Sequence, residues 1–449
     1  MNVTPNKGKK RLAANIASLG LVQISNYVFP IITIPLVSRI IGPDKFGVIN
    51  FASAYIAYFT LLIGFGFDLT ATRRVARDPD NAENRNKVFS EVFISQSLLL
   101  LVSAICFIIS FFFVPQLYEE KAVAIFTFLT CFATLFTQNW LFQAMQDLPK
   151  VAILNFLTKV LFTIIILSTI HKKSDYVWQP LATSIAQVSV AVVSFFWSIK
   201  KYNLKLERVK IIDCIRLLWA DKSFFLSLCV VNLYSSTSIV ILGIFQNSTQ
   251  VGYYTAGQKL ILILQALISV PLATALFPYI GKAFGESHEK GLKIAQQLIP
   301  IVFVLTALAG IVIFTGSPLF IGFFYGAKFS AAVKICRILA FIPMLVGLNT
   351  ILGIHIMMNL KLDKIFFGIT CVGAVVGVVL NIVLVRTIGY AGPAYTWLCI
   401  ELLNFSLLYI MLRRRNIESL NFSYFRSDFF IQYFKLILDK IRPKRTKNC

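Results

Sequence analysis

Charged residues are scarce in this 449-residue chain: they fill 14% of positions, against 57% hydrophobic. Soluble domains carry about 25% charged residues, so a soluble globular fold is excluded, in keeping with a mean hydropathy of +0.76. The apolar runs are not broken by period-two alternation, which excludes an outer-membrane barrel. There are 3 histidines and 8 cysteines. No CxxC pair occurs, and Cys106, Cys131, Cys229, Cys336, Cys371 and Cys399 fall inside apolar segments. Neither a disulfide framework nor a metal site is expected. No Gly-x-x-x-x-Gly-Lys-Ser/Thr occurs, so there is no P-loop. Gly64-Phe65-Gly66 lies in an apolar run and reads as helix packing, and Asp78-Pro79-Asp80 sits in a short basic turn with no catalytic domain around it. An enzyme is not expected, nor a bound cofactor. Acidic residues are the scarcer sign, 20 against 43 basic, for a net charge of +23. In a soluble protein that balance would suggest nucleic acid; here the positive charge sits between the apolar runs, so no nucleic-acid partner is expected.

What the chain does have is apolar length. A crossing takes about 20 mostly apolar residues. Twelve spans are expected, at roughly 12–41, 48–70, 88–114, 122–146, 151–170, 176–199, 223–245, 251–280, 294–315, 331–358, 364–386 and 391–412. The fold class is an all-α polytopic membrane protein. With the N-terminus in the cytoplasm, 32 of the 43 Lys and Arg fall in cytoplasmic segments, 8 in outer turns and 3 inside spans. That bias supports cytoplasmic N- and C-termini and an even span count.

One hairpin plan is used twice. The first runs from Leu12 to Arg77 around the turn Gly42-Pro43-Asp44-Lys45-Phe46-Gly47. The second runs from about Phe224 to Lys282, with the turn Gln246–Gln250 leading into Val251-Gly252-Tyr253 as the first leads into Phe46-Gly47-Val48. Such repeats mark secondary transporters, whose sites lie between the repeats. The expected domains are an N-terminal lobe of six spans (1–202), a cytoplasmic amphipathic linker (203–222), a C-terminal lobe of six spans (223–415) and a cytoplasmic tail (416–449). Asn203–Trp219 mixes Lys205, Arg208, Lys210 and Arg216 with apolar residues and reads as a basic helix lying on the membrane, and Tyr424–Ile441 as a second interfacial helix.

Charges at membrane depth are functional candidates. At about 1.5 Å per residue, Lys159 and Lys259 lie near mid-depth, one in each half, with Glu401 at similar depth. Arg39 and Arg337 lie nearer the outer ends of their spans, and Asp68 and Glu91 flank the inner loop between spans 2 and 3. An unpaired cation at mid-depth implies a watery cavity whose natural guest is an anion; structural pairing and snorkelling are the alternatives. Amides facing inward include Asn26, Asn139, Gln143, Asn155, Asn232, Asn349, Asn381 and Asn404. They suit a sugar, and they also knit helices together.

At these residues the chain resembles the Wzx-type polysaccharide flippases of the superfamily that also holds the MATE exporters and lipid II flippases. The resemblance is carried by Asn26-Tyr27 through Pro35, Arg39-Ile40-Ile41-Gly42, Phe46-Gly47 and Ala71-Thr72-Arg73-Arg74. Trp140-Leu141-Phe142-Gln143-Ala144-Met145-Gln146, then Lys159, and Asn381–Leu384 with Gly389-Tyr390-Ala391-Gly392 continue it; Gly392-Pro393-Ala394 departs from a usual Gly-Ala-Ala. The resemblance implies a MATE-like pair of six-helix lobes around a cationic cavity, in the bacterial cytoplasmic (inner) membrane. It implies alternating access that carries an undecaprenyl-diphosphate-linked oligosaccharide repeat unit outward for O-antigen or other surface polysaccharide. The polysaccharide polymerase and the chain-length regulator would be its neighbours, and membrane lipids its surroundings. Lys159, Lys259, Arg39, Arg337, Asn26 and Gln143 are then the substrate-binding candidates. Glu401, Asp68, Glu91, Arg73 and Arg74 are the candidates for gating or for coupling to a proton or sodium gradient. The rivals are a MATE-like exporter, which would want acidic residues where the lysines stand, and a lipid II flippase, which would want two more spans.

Overall fold

Breaks in the helices, more than the helices themselves, decide where polar groups end up. The computed structural model describes residues 5–426, and helix is the only regular structure among them. Helix α1, Pro5–Gly64, is broken at Gly42 (φ 73°, ψ 174°), because Pro43 disfavours helical backbone at the residue before it. A second break follows at Phe65 and Gly66, both with positive φ, and α2, Phe67–Ala76, begins there. The second span, expected to run unbroken to Thr70, is therefore interrupted. Gly66 also packs: a Cβ there would lie 2.5 Å from the Phe224 ring.

Next come α3 (Ala82–Phe113), α4 (Pro115–Glu119), α5 (Lys121–Phe128), α6 (Thr130–Phe136), α7 (Asn139–Ala144), α8 (Leu148–Thr169) and α9 (Trp178–Tyr202). The expected fourth span is thus three short helices, α5 to α7. The rest comprises α10 (Ile211–Ser235), α11 (Thr237–Phe245), α12 (Ser248–Glu286), α13 (His288–Phe324), α14 (Ala332–Leu339), α15 (Ile342–Thr350), α16 (Asp363–Ile388) and α17 (Gly392–Arg413). A π-helical turn, Ile351–Met357, continues α15. Eight segments among the described residues are long and apolar enough to cross a membrane. Two of them, Val28–Ala76 and Asp363–Arg413, hold 49 and 51 residues, more than twice one crossing, and are broken at Gly42 and at the turn Gly389–Ala391. The protein is a multi-pass membrane protein.

The linker departs from expectation. Asn203 ends α9 in the left-handed region (φ 50°), residues 204–210 form no helix, and helix resumes only at Ile211. The cause is side-chain competition. Asn86 Oδ1 and Ser90 Oγ of α3 accept from the backbone N–H of Lys205 (3.1 Å) and Glu207 (2.9 Å), and Leu204 is buried in the core beside them. Those amides are satisfied without a helix. The interfacial helix expected over Tyr424–Ile441 lies, beyond Arg426, outside the described residues.

The described chain divides into two compact units. Unit 1 comprises Met1–Gly257, Pro318–Ile335 and Val378–Pro393; unit 2 comprises Gln258–Ser317, Cys336–Gly377 and Ala394–Cys449. A core around Phe67, Val75, Phe89, Trp140 and Leu141 lies in unit 1, and one around Ile299, Ile351, Met357 and Leu412 lies in unit 2.

Within unit 1 the two hairpin turns meet backbone to backbone. A Cβ on Gly47 would lie 1.7 Å from Ser248 O, and one on Gly252 would lie 2.0 Å from Pro43 O. Each glycine sits four residues after the residue its counterpart touches, so the contact is reciprocal. Ser248 Oγ donates to Asp44 Oδ1 at 2.7 Å across the same junction. Lys45 pairs with Glu120 at 2.6 Å, and Glu120 also accepts from Tyr176 Oη at 2.6 Å.

Candidate functional site

The break at residues 65–66 places Asp68 in the first turn of α2, on the wall of a cavity of about 330 Å³ inside unit 1. Helix α8 also lines it, with Asn155, Thr158 and Lys159; Gln96 of α3, Thr134 of α6, Thr137, Asn139 of α7, and Gln187 and Ser194 of α9 make up the rest of the polar lining. Asp68 and Lys159 share this cavity. Neither side chain has a hydrogen bond or ion pair among the described residues. Gln96 is buried, with Oε1 lacking any partner, and an orphaned buried acceptor of this kind is a place for water or a ligand. Sequence reasoning placed Asp68, Asn139, Asn155 and Lys159 among its candidates but missed Gln96, Gln187 and Thr134. The signal was there for the two glutamines: each is an amide inside an apolar run, as Asn155 is.

The structure gives the other candidates separate settings. Glu91 is buried and paired with Arg74 at 2.6 Å, which ties α3 to α2, whereas Arg73 is exposed. Arg39 Nη2 donates to Gly322 O (3.2 Å) and Phe323 O (2.5 Å), and buried Ser38 donates to Phe324 O (3.2 Å). These donors reach the last carbonyls of α13, of which Gly322 O also accepts from the Gly326 N–H. Asn26 is exposed, and Gln143 is half-buried on α7; neither lines the cavity. In unit 2, Glu401 is buried and accepts from Asn349 Nδ2 at 2.7 Å and Trp397 Nε1 at 3.2 Å. Lys259 is half-buried on α12 and is not free of partners. Arg337 is exposed, its guanidinium 5.6 Å from the centroid of the Phe314 ring.

Two more cavities adjoin the first. One of about 390 Å³ is lined by Ser53, Thr60, Thr127, Thr130, Thr183 and Gln179, among others. One of about 350 Å³ shares Asp68 and reaches Asn232 of α10. All three include Thr134. Chemically the arrangement offers a polar interior with one carboxylate and one ammonium; it has no nucleophile–base pair, and no group of three metal-ligating side chains occurs among the described residues.

Known proteins resemble the chain, several of them over most of its length. A protein of Escherichia coli K12 that bears the name of an O-antigen transporter is 26% identical over 418 residues, 92% of this chain and 99% of that protein. A Haloferax volcanii protein named as a low-salt glycan biosynthesis flippase is 24% identical over 206 residues, 45% of this chain and 43% of its own length. Among solved structures, the lipid II flippase MurJ in an inward closed conformation superposes with a TM-score of 0.73 at 14% identity, covering 95% of this chain and 94% of that one. An inward-facing MATE-family multidrug transporter superposes at 0.66 and 15% identity, covering 96% and 100%. These two likenesses establish the fold, that of the MurJ and MATE transporters, as the sequence led one to expect. Residues 12–284 match the family described as polysaccharide biosynthesis protein, and the chain belongs to that family.

Proposed function

We propose that this protein is a flippase that carries an oligosaccharide repeat unit on undecaprenyl diphosphate from the cytoplasmic to the outer leaflet of the bacterial inner membrane. The observation that carries this reading is the end-to-end similarity to the E. coli protein named as an O-antigen transporter. The MurJ-like fold is consistent with it. No bond is made or broken. The glycan enters a cavity facing the cytoplasm, the polyprenyl tail stays in lipid, and alternating access opens the path outward. A diphosphate needs fixed cations, and Lys159, which has no partner in a polar cavity, is the residue best placed for that role in unit 1. Lys259 is the candidate in unit 2.

The test is complementation of a strain that lacks its surface-glycan flippase, at matched membrane levels of each variant. Wild type restores glycan display, Lys159→Ala loses it, and Lys159→Arg retains it. Display by the Lys159→Ala, Lys259→Ala double variant removes the lysines from the substrate site. Failure of the wild type across hosts with different glycans refutes the flippase reading.

A further inference from the structure

The cavities of unit 1 differ in charge. The one that holds Asp68 and Lys159 has an ion of each sign on its wall. Its neighbour of about 390 Å³ has none: six hydroxyl side chains and two glutamines, Gln179 and Gln187, supply the polar lining, and four apolar residues complete it. The two cavities share Thr134 and Gln187. In the uncharged one, each of the six hydroxyls donates to a backbone carbonyl three or four residues earlier, five of them at 2.6 to 3.0 Å and Thr134 at 3.5 Å. A hydroxyl held in this way keeps its lone pairs for a guest, and each threonine sets a methyl group beside them. The side chains of Gln179 and Gln187 make no hydrogen bond among the described residues, and Gln179 Oε1 is a buried acceptor. Both amides therefore keep protons to donate and a carbonyl to accept.

A wall of fixed acceptors, two unspent amides and interleaved methyl groups is the counterpart of a sugar ring, whose edge carries hydroxyls that donate and accept and whose faces carry C–H groups. The volume lies at the low end of the range of about 300–1,000 Å³ for small-molecule pockets, which suits one ring and not a chain. A carboxylate or an ammonium on that ring would find no opposite charge on this wall, and a charge taken out of water without a partner is costly. We propose that this cavity is the subsite for one uncharged sugar ring of the transported glycan, and that Gln179 and Gln187 select it. Because the adjoining cavity holds Lys159, the candidate for the diphosphate, the ring is one near the lipid-linked end of the repeat unit. That the ring belongs to a transported glycan rests on the flippase reading; that the cavity takes a neutral sugar does not.

The experiment is saturation-transfer difference NMR at mildly acidic pH on the full chain in nanodiscs free of alkyl glycosides. The probes are single rings: methyl glucoside and methyl N-acetylglucosaminide, which are neutral, methyl glucuronide, an anion, and methyl glucosaminide, a cation. Wild type transfers saturation to at least one neutral ring and to neither charged ring. The Gln179→Leu, Gln187→Leu double variant lowers that transfer several-fold. Gln179→Glu, which puts a carboxylate on the wall, moves the preference to methyl glucosaminide, a gain that a misfolded chain could not show. Silence from both neutral rings overturns the subsite, as does equal binding of the charged rings or a preference unmoved by Gln179→Glu. Silence here beside a successful complementation removes the subsite and leaves the flippase reading standing. Binding here beside a failed complementation removes the flippase reading and leaves the sugar site.

Discussion

Replacing Gly47 by alanine puts a methyl group 1.7 Å from Ser248 O, and replacing Gly252 puts one 2.0 Å from Pro43 O. Ordinary contact begins near 3.4 Å, so the two turns must separate by about 1.7 Å or 1.4 Å. The obstacle in both cases is backbone, which cannot swing aside as a side chain can. Overpacking costs about 1–3 kcal/mol, and these sites belong at the upper end, about 3 kcal/mol each. Because both methyls force apart one junction, separation caused by the first relieves the second. The double variant should therefore cost nearer 3 than 6 kcal/mol, a coupling of the kind seen between residues in contact. Gly368→Ala is the control, since nothing lies within 4 Å of a Cβ there, inside α16; it should gain about 0.5–1 kcal/mol. Thermal unfolding of the purified protein in detergent reads all four variants. Single variants within about 0.5 kcal/mol of wild type, or a double variant equal to the sum of the singles, would refute the reasoning.

Arg74→Gln leaves the buried Glu91 carboxylate without its 2.6 Å partner, so it should destabilise by about 3 kcal/mol, while Arg74→Gln with Glu91→Gln should recover most of that loss; the same unfolding assay decides. Arg39→Ala removes two hydrogen bonds to the end of α13, with an expected cost of about 1–2 kcal/mol; display measured at matched membrane levels should persist, and a loss of display at unchanged stability would instead assign Arg39 to the substrate.

The apolar runs made the membrane helices legible, because about 20 uncharged residues have few other uses. The repeat was legible in the two turns as well, though nothing in their residues said that Gly47 and Gly252 would face each other's backbone. The breaks were harder. Gly64-Phe65-Gly66 is as compatible with close packing as with a left-handed turn, and the structure uses it for both: Gly66 abuts Phe224 and has φ 85°. The linker 204–210 carries the apolar periodicity of a helix, but a helix there lost to two side chains on α3, more than a hundred residues earlier, that bind its amides. The candidate site was legible residue by residue at Asp68 and Lys159. Their sharing of one cavity was not, since no local pattern relates positions 91 apart, nor Glu91 to the arginine that neutralises it.

The non-helical stretch before α10 also has a mechanical consequence. A floppy leash would let α10 move without telling the rest of unit 1. Residues 204–210 instead form a strut. Its amides are pinned to α3 at two points, Leu204 is seated in the core, and Arg85 of α3 holds the carbonyl of Tyr202 just before it at 3.0 Å. Displacing it would break three hydrogen bonds at about 1 kcal/mol each and expose a leucine worth about 2 kcal/mol. Thermal jostling does not supply that, so a push on the start of α10 should be passed to the N-terminal end of α3.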